Sequence, residues 1–285
     1  MIAGFIGAGK VGFSLGKYMV CNGITVSGYY SRNIDSAREA ADFTHTDFFK
    51  NISEIVEKSD IIFLTVPDGA IEDVWKSLKQ YSLENKYICH CSGAMSSAVF
   101  SGIDKCKAYG YSVHPLLAVC DKLQSYRDLS KAFFTIEYSD EKSFEKLDVI
   151  RNMITELGNQ VMVIKDNQKT KYHAAAVFAS NLVVSLVYEA AKLLQDCGFS
   201  EEDSRKALMP LFLNNCENIS EKGPVMALTG PVERADDGTV RKHLSVLNQE
   251  ESYIYAGLSK VLTEIASKKN PERDYEKIKK LLEEI

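Results

Sequence analysis

Short apolar runs alternate with amphipathic stretches over the first half of the chain. The runs 2–6, 24–30 and 61–66 are rich in β-branched and aromatic residues, and helical periodicity follows each of them. The run 61–66 is almost continuously apolar, which is typical of a buried strand in a parallel sheet. The further predicted strands are 87–91, 108–113, 133–137 and 161–164, and the predicted helices among them are 35–42, 51–58, 70–80 and 141–157.

The pattern changes near residue 165. No strand signal remains beyond it, and helical periodicity covers 168–197, 201–219, 239–247, 251–267 and 275–284. Strands that alternate with helices favour a doubly wound parallel sheet. The sequence therefore predicts an α/β fold, with a Rossmann-like doubly wound parallel sheet over residues 1–166 and an all-α domain over residues 167–285.

The predicted helix 168–197 is apolar on nearly all of its faces around residues 174–187. A helix of this kind must be surrounded by other protein. Its nearly uncharged run, 173–188, is shorter than the ~20 residues that a membrane span needs, and it contains several polar side chains. We therefore predict a buried helix, no membrane contact, and a homodimer formed through the helical domain.

Composition narrows the class of protein. The chain has 285 residues and a net charge of −5, with no basic block that would favour nucleic acid as a partner. Its seven cysteines are scattered, which predicts reduced thiols in a cytoplasmic protein. Because the first strand begins at residue 2, no signal peptide is expected.

The first strand runs directly into a glycine-rich turn of the form G-x-G-x-x-G. The turn consists of Gly7, Ala8, Gly9, Lys10, Val11 and Gly12. The first glycine permits a tight turn, the second lets the backbone approach a pyrophosphate, and the third lets the helix pack against the strand. The helix N-terminus then presents free N–H groups to the phosphates. The turn therefore predicts a dinucleotide site, the alternative being a turn without a ligand.

The residues after the second strand indicate which dinucleotide. NAD sites usually carry an acidic residue there, about 20 residues past the glycines, but this chain has Ser31 and Arg32. An arginine and a hydroxyl would hold a 2′-phosphate, with Arg38 as a possible second cation. We therefore predict NADP as the cofactor, although a solvent-facing Arg32 in a turn is the alternative.

Two other strand ends are predicted to lie beside the cofactor, because ligands bind outside the carboxyl ends of parallel strands. One carries Val66, Pro67 and Asp68, where the aspartate could simply cap the following helix. The other carries Ser92 and Gly93. It follows Cys89-His90-Cys91, but alternate residues of a strand point to opposite faces, so no metal site is predicted.

The candidate catalytic residues are His114, at the end of another strand, and Ser92, His173 and Asn181. Lys169, His173, Val177 and Asn181 are spaced four residues apart and would form one stripe on a helix. The histidines could transfer a proton, and Asn181 could bind a substrate carbonyl or the nicotinamide carboxamide. Ordinary structural hydrogen bonds are the alternative for each of these side chains.

A loop between the later helices contains a candidate substrate-binding residue. It includes Gly223-Pro224 and Gly230-Pro231, two pairs that favour a rigid loop. Arg234 could clamp a substrate carboxylate. It could equally pair with Asp236 or Asp237 as a structural brace.

Together these motifs resemble a family of uncharacterised Rossmann-like oxidoreductases whose helical half is a domain of unknown function, number 2520. The segments that carry the resemblance are 7–12 (GAGKVG), 66–68 (VPD), 92–94 (SGA), 114–115 (HP), 172–181 (YHAAAVFASN) and 228–236 (LTGPVERAD). The resemblance implies an NADP-binding fold with a dimerising helical domain. It assigns no substrate.

More distantly, the layout is similar to pyrroline-5-carboxylate reductase, to deazaflavin-dependent NADP reductase and to the 3-hydroxyacid dehydrogenases. The last family carries a catalytic lysine four residues before an asparagine on the long helix. Four residues before Asn181 this chain has Val177. This departure argues against lysine-assisted alcohol oxidation and leaves His114 or His173 for proton transfer.

The leading hypothesis is an NADP-dependent oxidoreductase with its site between the two domains. It would transfer hydride between the nicotinamide and a small carbonyl, imine or hydroxy compound. A non-catalytic NADP-binding sensor is the alternative, since a fold does not prove a function. Reduction linked to a deazaflavin is a third possibility.

Overall fold

Eight strands form one sheet in the computed structural model, which describes all 285 residues. The strands are β1 (Ile2–Ile6), β2 (Thr25–Tyr30), β3 (Asp47–Phe49), β4 (Ile61–Leu64), β5 (Tyr87–His90), β6 (Tyr109–Leu116), β7 (Phe133–Tyr138) and β8 (Val161–Lys165). They follow the order β3-β2-β1-β4-β5-β6-β7-β8 across the sheet. The three-residue strand β3 was not predicted, because it is too short to show a periodicity.

Helices pack against both faces of the sheet. They are α1 (Lys10–Cys21), α2 (Ile34–Thr44), α3 (Ile52–Lys58), α4 (Asp68–Leu78), α5 (Glu141–Glu145) and α6 (Leu147–Glu156). One apolar cluster joins Phe5 of β1 to Phe13 of α1, and a second joins Leu64 of β4 to Trp75 of α4. The two clusters explain why β4 is buried along its whole length.

The sheet departs from the predicted parallel arrangement at one place. Strands β1 to β6 are parallel, but β7 runs antiparallel to β6, and β8 is parallel to β7. The connection from β6 to β7 contains a 3₁₀ segment, Ser125–Lys131, and no α-helix. A parallel neighbour requires a crossover, usually a helix, and without such a helix the chain returns beside β6 as an antiparallel strand.

The predicted long helix 168–197 is divided into α7 (Lys169–Ala179) and α8 (Asn181–Asp196). Ser180, between them, has φ −129° and ψ −80°, and its hydroxyl donates a 2.7 Å hydrogen bond to the Ala176 carbonyl. A serine that bonds back to the preceding turn bends or interrupts helices. The predicted stripe from Lys169 to Asn181 therefore does not run along one continuous helix.

Compact units form from residues 1–180 and 181–285, so α7 groups with the sheet, one helix beyond the predicted boundary at residue 166. The second unit is all helical, as predicted. Its helices are α8, α9 (Glu201–Ala227), α10 (Asp237–Leu244), α11 (Gln249–Lys269) and α12 (Glu276–Glu283). Gly223 lies at a kink inside α9 rather than in a loop. A small core includes Val240, Ala256 and Leu282.

The side chain of Asn159 links three parts of the first unit. Its oxygen accepts a 2.8 Å hydrogen bond from the Tyr18 hydroxyl of α1, and its nitrogen donates to the Leu129 and Ala132 carbonyls, at 2.7 and 2.9 Å. Asn159 is buried. Buried polar groups that lose their partners pay a desolvation cost.

We expect Asn159→Ala to lower the free energy of unfolding by about 2–4 kcal/mol, because it removes three hydrogen bonds in a buried place. Urea denaturation monitored by circular dichroism would measure the change. The matched control is Asn152→Ala on α6, which is exposed and should change stability by less than about 0.5 kcal/mol. Equal effects of the two substitutions would contradict the assigned role.

Candidate active site

The glycine turn has the geometry that a pyrophosphate requires. Gly7 has φ +107°, and a Cβ there would lie 2.6 Å from the Thr65 carbonyl oxygen. A Cβ on Gly12 would lie 2.5 Å from the Gly7 carbonyl oxygen. Around Gly9, in contrast, the nearest atom to a Cβ would be 3.9 Å away, so a ligand can approach the backbone there. Helix α1 has neither a capping side chain nor an acidic residue in its first turn. Its N–H groups are therefore available to an anion.

Ser31 and Arg32 line the same cleft as Gly7, Ala8 and Gly9. Arg32 is exposed and forms no ion pair, so its guanidinium can reach a ligand. Arg38, the candidate second cation for the 2′-phosphate, already has a partner. Arg38 pairs with Asp35 within α2, at 3.2 Å.

A further cleft residue, Ser36, was not predicted. It lies in the first turn of α2, and its hydroxyl adds a donor beside Arg32. The available signal for Ser36 was its position. The first turn of the helix after the second strand lies near the ribose in dinucleotide sites.

Val66 and Pro67 line the cleft, as predicted for a strand end. Asp68, in contrast, does not cap the helix that follows. It begins α4 without making a capping bond, and its carboxylate accepts a 2.8 Å hydrogen bond from the Ser92 hydroxyl. That hydroxyl also accepts hydrogen bonds from the N–H groups of Ala94 and Met95. The Ser92 side chain therefore shapes the loop that follows β5.

A row of buried polar side chains crosses three neighbouring strands. The register pairs His90 of β5 with Ser112 of β6, and Ser112 with Glu137 of β7. All three residues are inaccessible to solvent. Directly opposed residues share a face of the sheet, so this polar row interrupts an otherwise apolar face.

Lys169 of α7 covers the row. It is only 1% exposed, and its Nζ donates a 2.6 Å hydrogen bond to the Ser112 hydroxyl. Ser112 in turn donates to the Ser92 carbonyl, at 3.2 Å. Burial lowers the pKa of Lys169 to about 8, although the negative charge of Glu137 opposes this shift. An amine with this pKa exchanges its proton near neutral pH.

His114 and Tyr172 form a second pair next to Lys169. His114 Nδ1 lies 2.7 Å from the Tyr172 hydroxyl, and the Lys169 Nζ lies 5.5 Å from the centre of the tyrosine ring. Burial lowers the pKa of His114 to about 4, and the positive charge of Lys169 lowers it further. Burial raises the pKa of Tyr172. Both side chains are therefore uncharged at neutral pH.

His114 and His173 converge on Gly93. A Cβ on Gly93 would lie 2.9 Å from His114 Nε2 and 2.7 Å from His173 Nδ1, so both ring nitrogens face the same point. His173 Nδ1 is buried and makes no hydrogen bond within the protein. A buried nitrogen without a hydrogen-bond partner destabilises the fold, and a functional role is one explanation for keeping it there. The predicted residues Gly93, His114 and His173 are therefore brought together.

The remaining predicted residues belong to the second unit. Asn181 is the first residue of α8, and Arg234 lies in the loop before α10. Arg234 is exposed and pairs with neither Asp236 nor Asp237. Asp236 instead caps α10 by accepting hydrogen bonds from Thr239. Arg234 thus forms no salt bridge with Asp236, although its positive charge, after the hydrogen bonds from Thr239, contributes to the lowered pKa of Asp236.

No role was predicted for Lys169, Ser112, Tyr172 or Glu137. A lysine four residues before His173 on an apolar helix was the available signal for Lys169. The positions of Ser112 and Glu137 depend on strand register, which periodicity alone does not give. No group of three or more His, Cys, Asp or Glu side chains is arranged to hold a metal ion.

Two family matches agree with this geometry. Residues 2–93 match the family described as NADP oxidoreductase, coenzyme F420-dependent, and residues 132–262 match a domain of unknown function, DUF2520. Each match covers less than half of the chain, and together with the fold they support a Rossmann-like oxidoreductase. The resemblance predicted from the sequence, to a Rossmann-like oxidoreductase with this helical domain, is confirmed.

Solved structures share the whole architecture. Protein TM1727 of Thermotoga maritima is 26% identical, with a TM-score of 0.71, over 93% of this chain and 98% of that one. Protein BF3122 of Bacteroides fragilis, an NADP oxidoreductase by name, is 23% identical, with a TM-score of 0.70, over 92% of this chain and 98% of that one. Pyrroline-5-carboxylate reductase of Coxiella burnetii is 12% identical, with a TM-score of 0.59, over 94% and 93%. A comparison with curated proteins finds no match.

Proposed function

We propose that this protein is an NADP-dependent oxidoreductase that reduces a small carbonyl or imine compound, or oxidises the corresponding hydroxy compound or amine. The observation that carries the proposal is the convergence of His114 Nε2 and His173 Nδ1 on Gly93, at the edge of the sheet where the glycine turn lies. Two imidazoles that face one point are suited to hold and protonate an oxygen or nitrogen atom.

The residues of the cleft fit the cofactor. The uncapped N-terminus of α1 and the open space over Gly9 suit a pyrophosphate, and Ser31, Arg32 and Ser36 suit a 2′-phosphate. Val66 and Pro67 form the wall of the cleft beyond the glycine turn. When bound, the nicotinamide supplies or accepts the hydride.

The chain supplies the proton. With the Tyr172 hydroxyl donating to His114 Nδ1, the imidazole carries its proton on Nε2, facing the point above Gly93. In the reductive direction, Nε2 gives this proton to the substrate oxygen or nitrogen as hydride reaches the adjacent carbon. Nδ1 then takes the proton of the Tyr172 hydroxyl, and solvent replaces it.

Lys169 supports this transfer electrostatically. As Tyr172 gives up its proton, negative charge develops on the phenol, and the ammonium of Lys169 lies 5.5 Å from the ring centre. A buried positive charge at this distance stabilises the developing charge more than it would in water. The same charge lowers the pKa of His114, which keeps this imidazole uncharged before it reacts.

Asn181 and Arg234 remain proposed substrate-binding residues. An amide can bond a carbonyl or the nicotinamide carboxamide, and an exposed guanidinium can pair with a carboxylate. A cytoplasmic location also remains part of the proposal, supported by seven cysteines that are all free thiols.

We expect Arg32→Ala to weaken NADPH binding by about 10- to 100-fold and to leave NADH binding nearly unchanged, because only NADPH carries the 2′-phosphate. Calorimetric titration of the four nicotinamide dinucleotides would measure both. Arg38→Ala is the matched control, since Arg38 pairs with Asp35 and should affect neither cofactor. Equal losses for NADH and NADPH in Arg32→Ala would contradict the assignment.

We expect Tyr172→Phe and Lys169→Met to lower kcat by about 10²- to 10⁴-fold while the Kd for NADPH changes little, because they remove the proton source and its stabilising charge. Nicotinamide absorbance would follow turnover of a panel of cyclic imines, ketones with amines, hydroxy acids and coenzyme F420.

The matched control for this experiment is Lys171→Met, which removes an exposed lysine from the same turn of α7. Full activity of Lys169→Met would remove Lys169 from the reaction. Tight NADPH binding without turnover of any compound in the panel would favour the sensor alternative.

The helical unit supports a homodimer. Helix α8 has no buried residue, although most of its side chains are apolar, so the prediction of a buried helix is wrong for the single chain. The exposed fractions are 40% for Leu182, 70% for Val184, 40% for Leu186 and 65% for Tyr188. Large apolar side chains exposed on more than one side of a helix favour an interaction site, and a second copy of the chain presents the same helix.

We expect the double variant Val184→Glu, Tyr188→Glu to be monomeric, because it places two charges on one side of α8. Sedimentation velocity would compare it with the wild-type protein, with Tyr81→Glu, another exposed aromatic position, as the control.

The segment Asp166–Asp196 is also long and apolar enough to span a membrane, with a mean hydropathy of 1.6. A wild-type monomer that binds lipid vesicles would contradict the dimer.

A further inference from the structure

Glu137 is a buried carboxylate to which the proposed reaction assigns no role. Its Oε1 accepts hydrogen bonds from the Ser96 and Ser97 hydroxyls, at 2.9 and 3.1 Å, and its Oε2 accepts one from the Ser97 N–H, at 2.8 Å. The residue is 0% exposed. No Lys, Arg or His side chain lies within 4.0 Å of the carboxylate. Burying such a charge without a counter-charge is costly.

The compensating charge lies one residue away across the sheet. Glu137 is paired directly with Ser112, and the Ser112 hydroxyl accepts the hydrogen bond of the Lys169 ammonium. Opposed residues of antiparallel strands have Cα atoms about 4.5–5.5 Å apart. A single serine therefore separates the buried carboxylate from the buried ammonium.

Glu137 acts on Lys169 more strongly than the other groups around it, which include Cys91 and Asp68. His90 and His114 are uncharged, because burial lowers their pKa values to about 3 and about 4. The Cys91 thiol keeps its proton, because burial raises its pKa to about 12, and Asp68 is exposed to solvent. The ring of Tyr172 faces the ammonium but is uncharged. Glu137 is thus the buried anion of the cluster.

The carboxylate also fixes a loop of the site. Ser96 and Ser97, which donate to it, lie in the same segment as Ser92 and Gly93. Gly93 lies beneath the two histidine nitrogens. The Glu137 side chain on β7 therefore forms hydrogen bonds with the loop after β5. It also lies near the Lys169 ammonium, which covers the polar row.

We propose that Glu137 is a positioning residue, which provides the counter-charge for the Lys169 ammonium and holds the loop that carries Gly93 in place. The role of Lys169 in turnover rests on the proposed function, but the coupling between the two charges does not. Glu137→Gln separates the two tasks, because the amide keeps the shape and a hydrogen-bond acceptor and loses the charge.

The test is a double-mutant cycle of wild type, Glu137→Gln, Lys169→Met and the double variant, without cofactor or substrate. Urea unfolding would be measured from about pH 6 to about pH 10. The folded-state pKa of Lys169, about 8, is below the unfolded value of about 10.4. The unfolded state therefore binds more protons between these values, and this group makes stability rise with pH in that window.

We expect Glu137→Gln to move the start of this rise to lower pH by about one unit, because the ammonium loses its counter-charge. In the Lys169→Met background the same substitution should have an effect that does not vary with pH. The effect of Glu137→Gln is taken within each background, so groups whose titration depends on Lys169 alone cancel in the differences. Asp68→Asn is the control for loss of an exposed carboxylate that also acts on Lys169, and it should move the rise by less than Glu137→Gln does.

An effect of Glu137→Gln that is equal in both backgrounds at every pH would overturn the proposal. If Glu137→Gln does not fold, Lys169→Met should restore folding, because it removes the unbalanced charge. If the double variant also fails to fold, Glu137 is not the counter-charge for Lys169, and its role is limited to the hydrogen bonds with the loop after β5. Because no substrate is used, the coupling can hold while the proposed reaction fails, and the reverse can also be observed.

Discussion

The arrangement of the site depends on the cost of burying Lys169. An ammonium that is 1% exposed must find its partners within the protein, and here they are the Ser112 hydroxyl, the ring of Tyr172 and the charge of Glu137. Each partner comes from a different element, so one side chain links α7 to two strands of the sheet. Burial, followed by the positive charge of Lys169, lowers the pKa values of His90 and His114, so both remain uncharged.

Much of the fold could be predicted from local patterns. The glycine turn, the apolar run of β4 and the change from strands to helices are properties of short segments, and each was found where it was predicted. His114 was also singled out from its place near a strand end, although β6 continues two residues beyond it, to Leu116, and does not end at residue 113. These features need no knowledge of which segments touch.

The missing part of the site depends on long-range pairing. Glu137 and Ser112 meet because β7 turns back along β6, and nothing in the periodicity of either strand indicates direction. The interruption at Ser180 was hidden for a different reason. Serine is common in helices, and its bond to the Ala176 carbonyl is one of several that its hydroxyl could make. The sequence also predicted that apolar helix α8 is buried, but its side chains are exposed in the single chain, and the dimer that would cover them stays a prediction.

The reversal between β6 and β7 also determines which insertions and deletions the site can tolerate. Side chains alternate between the two faces of a strand, so adding or deleting one residue within β7 would turn Thr135 and Glu137 towards the opposite face. The connecting segment 117–132 has no such constraint on most of its length. Related chains can therefore be expected to differ in length in that connection and to keep a constant spacing from Thr135 to the end of the strand.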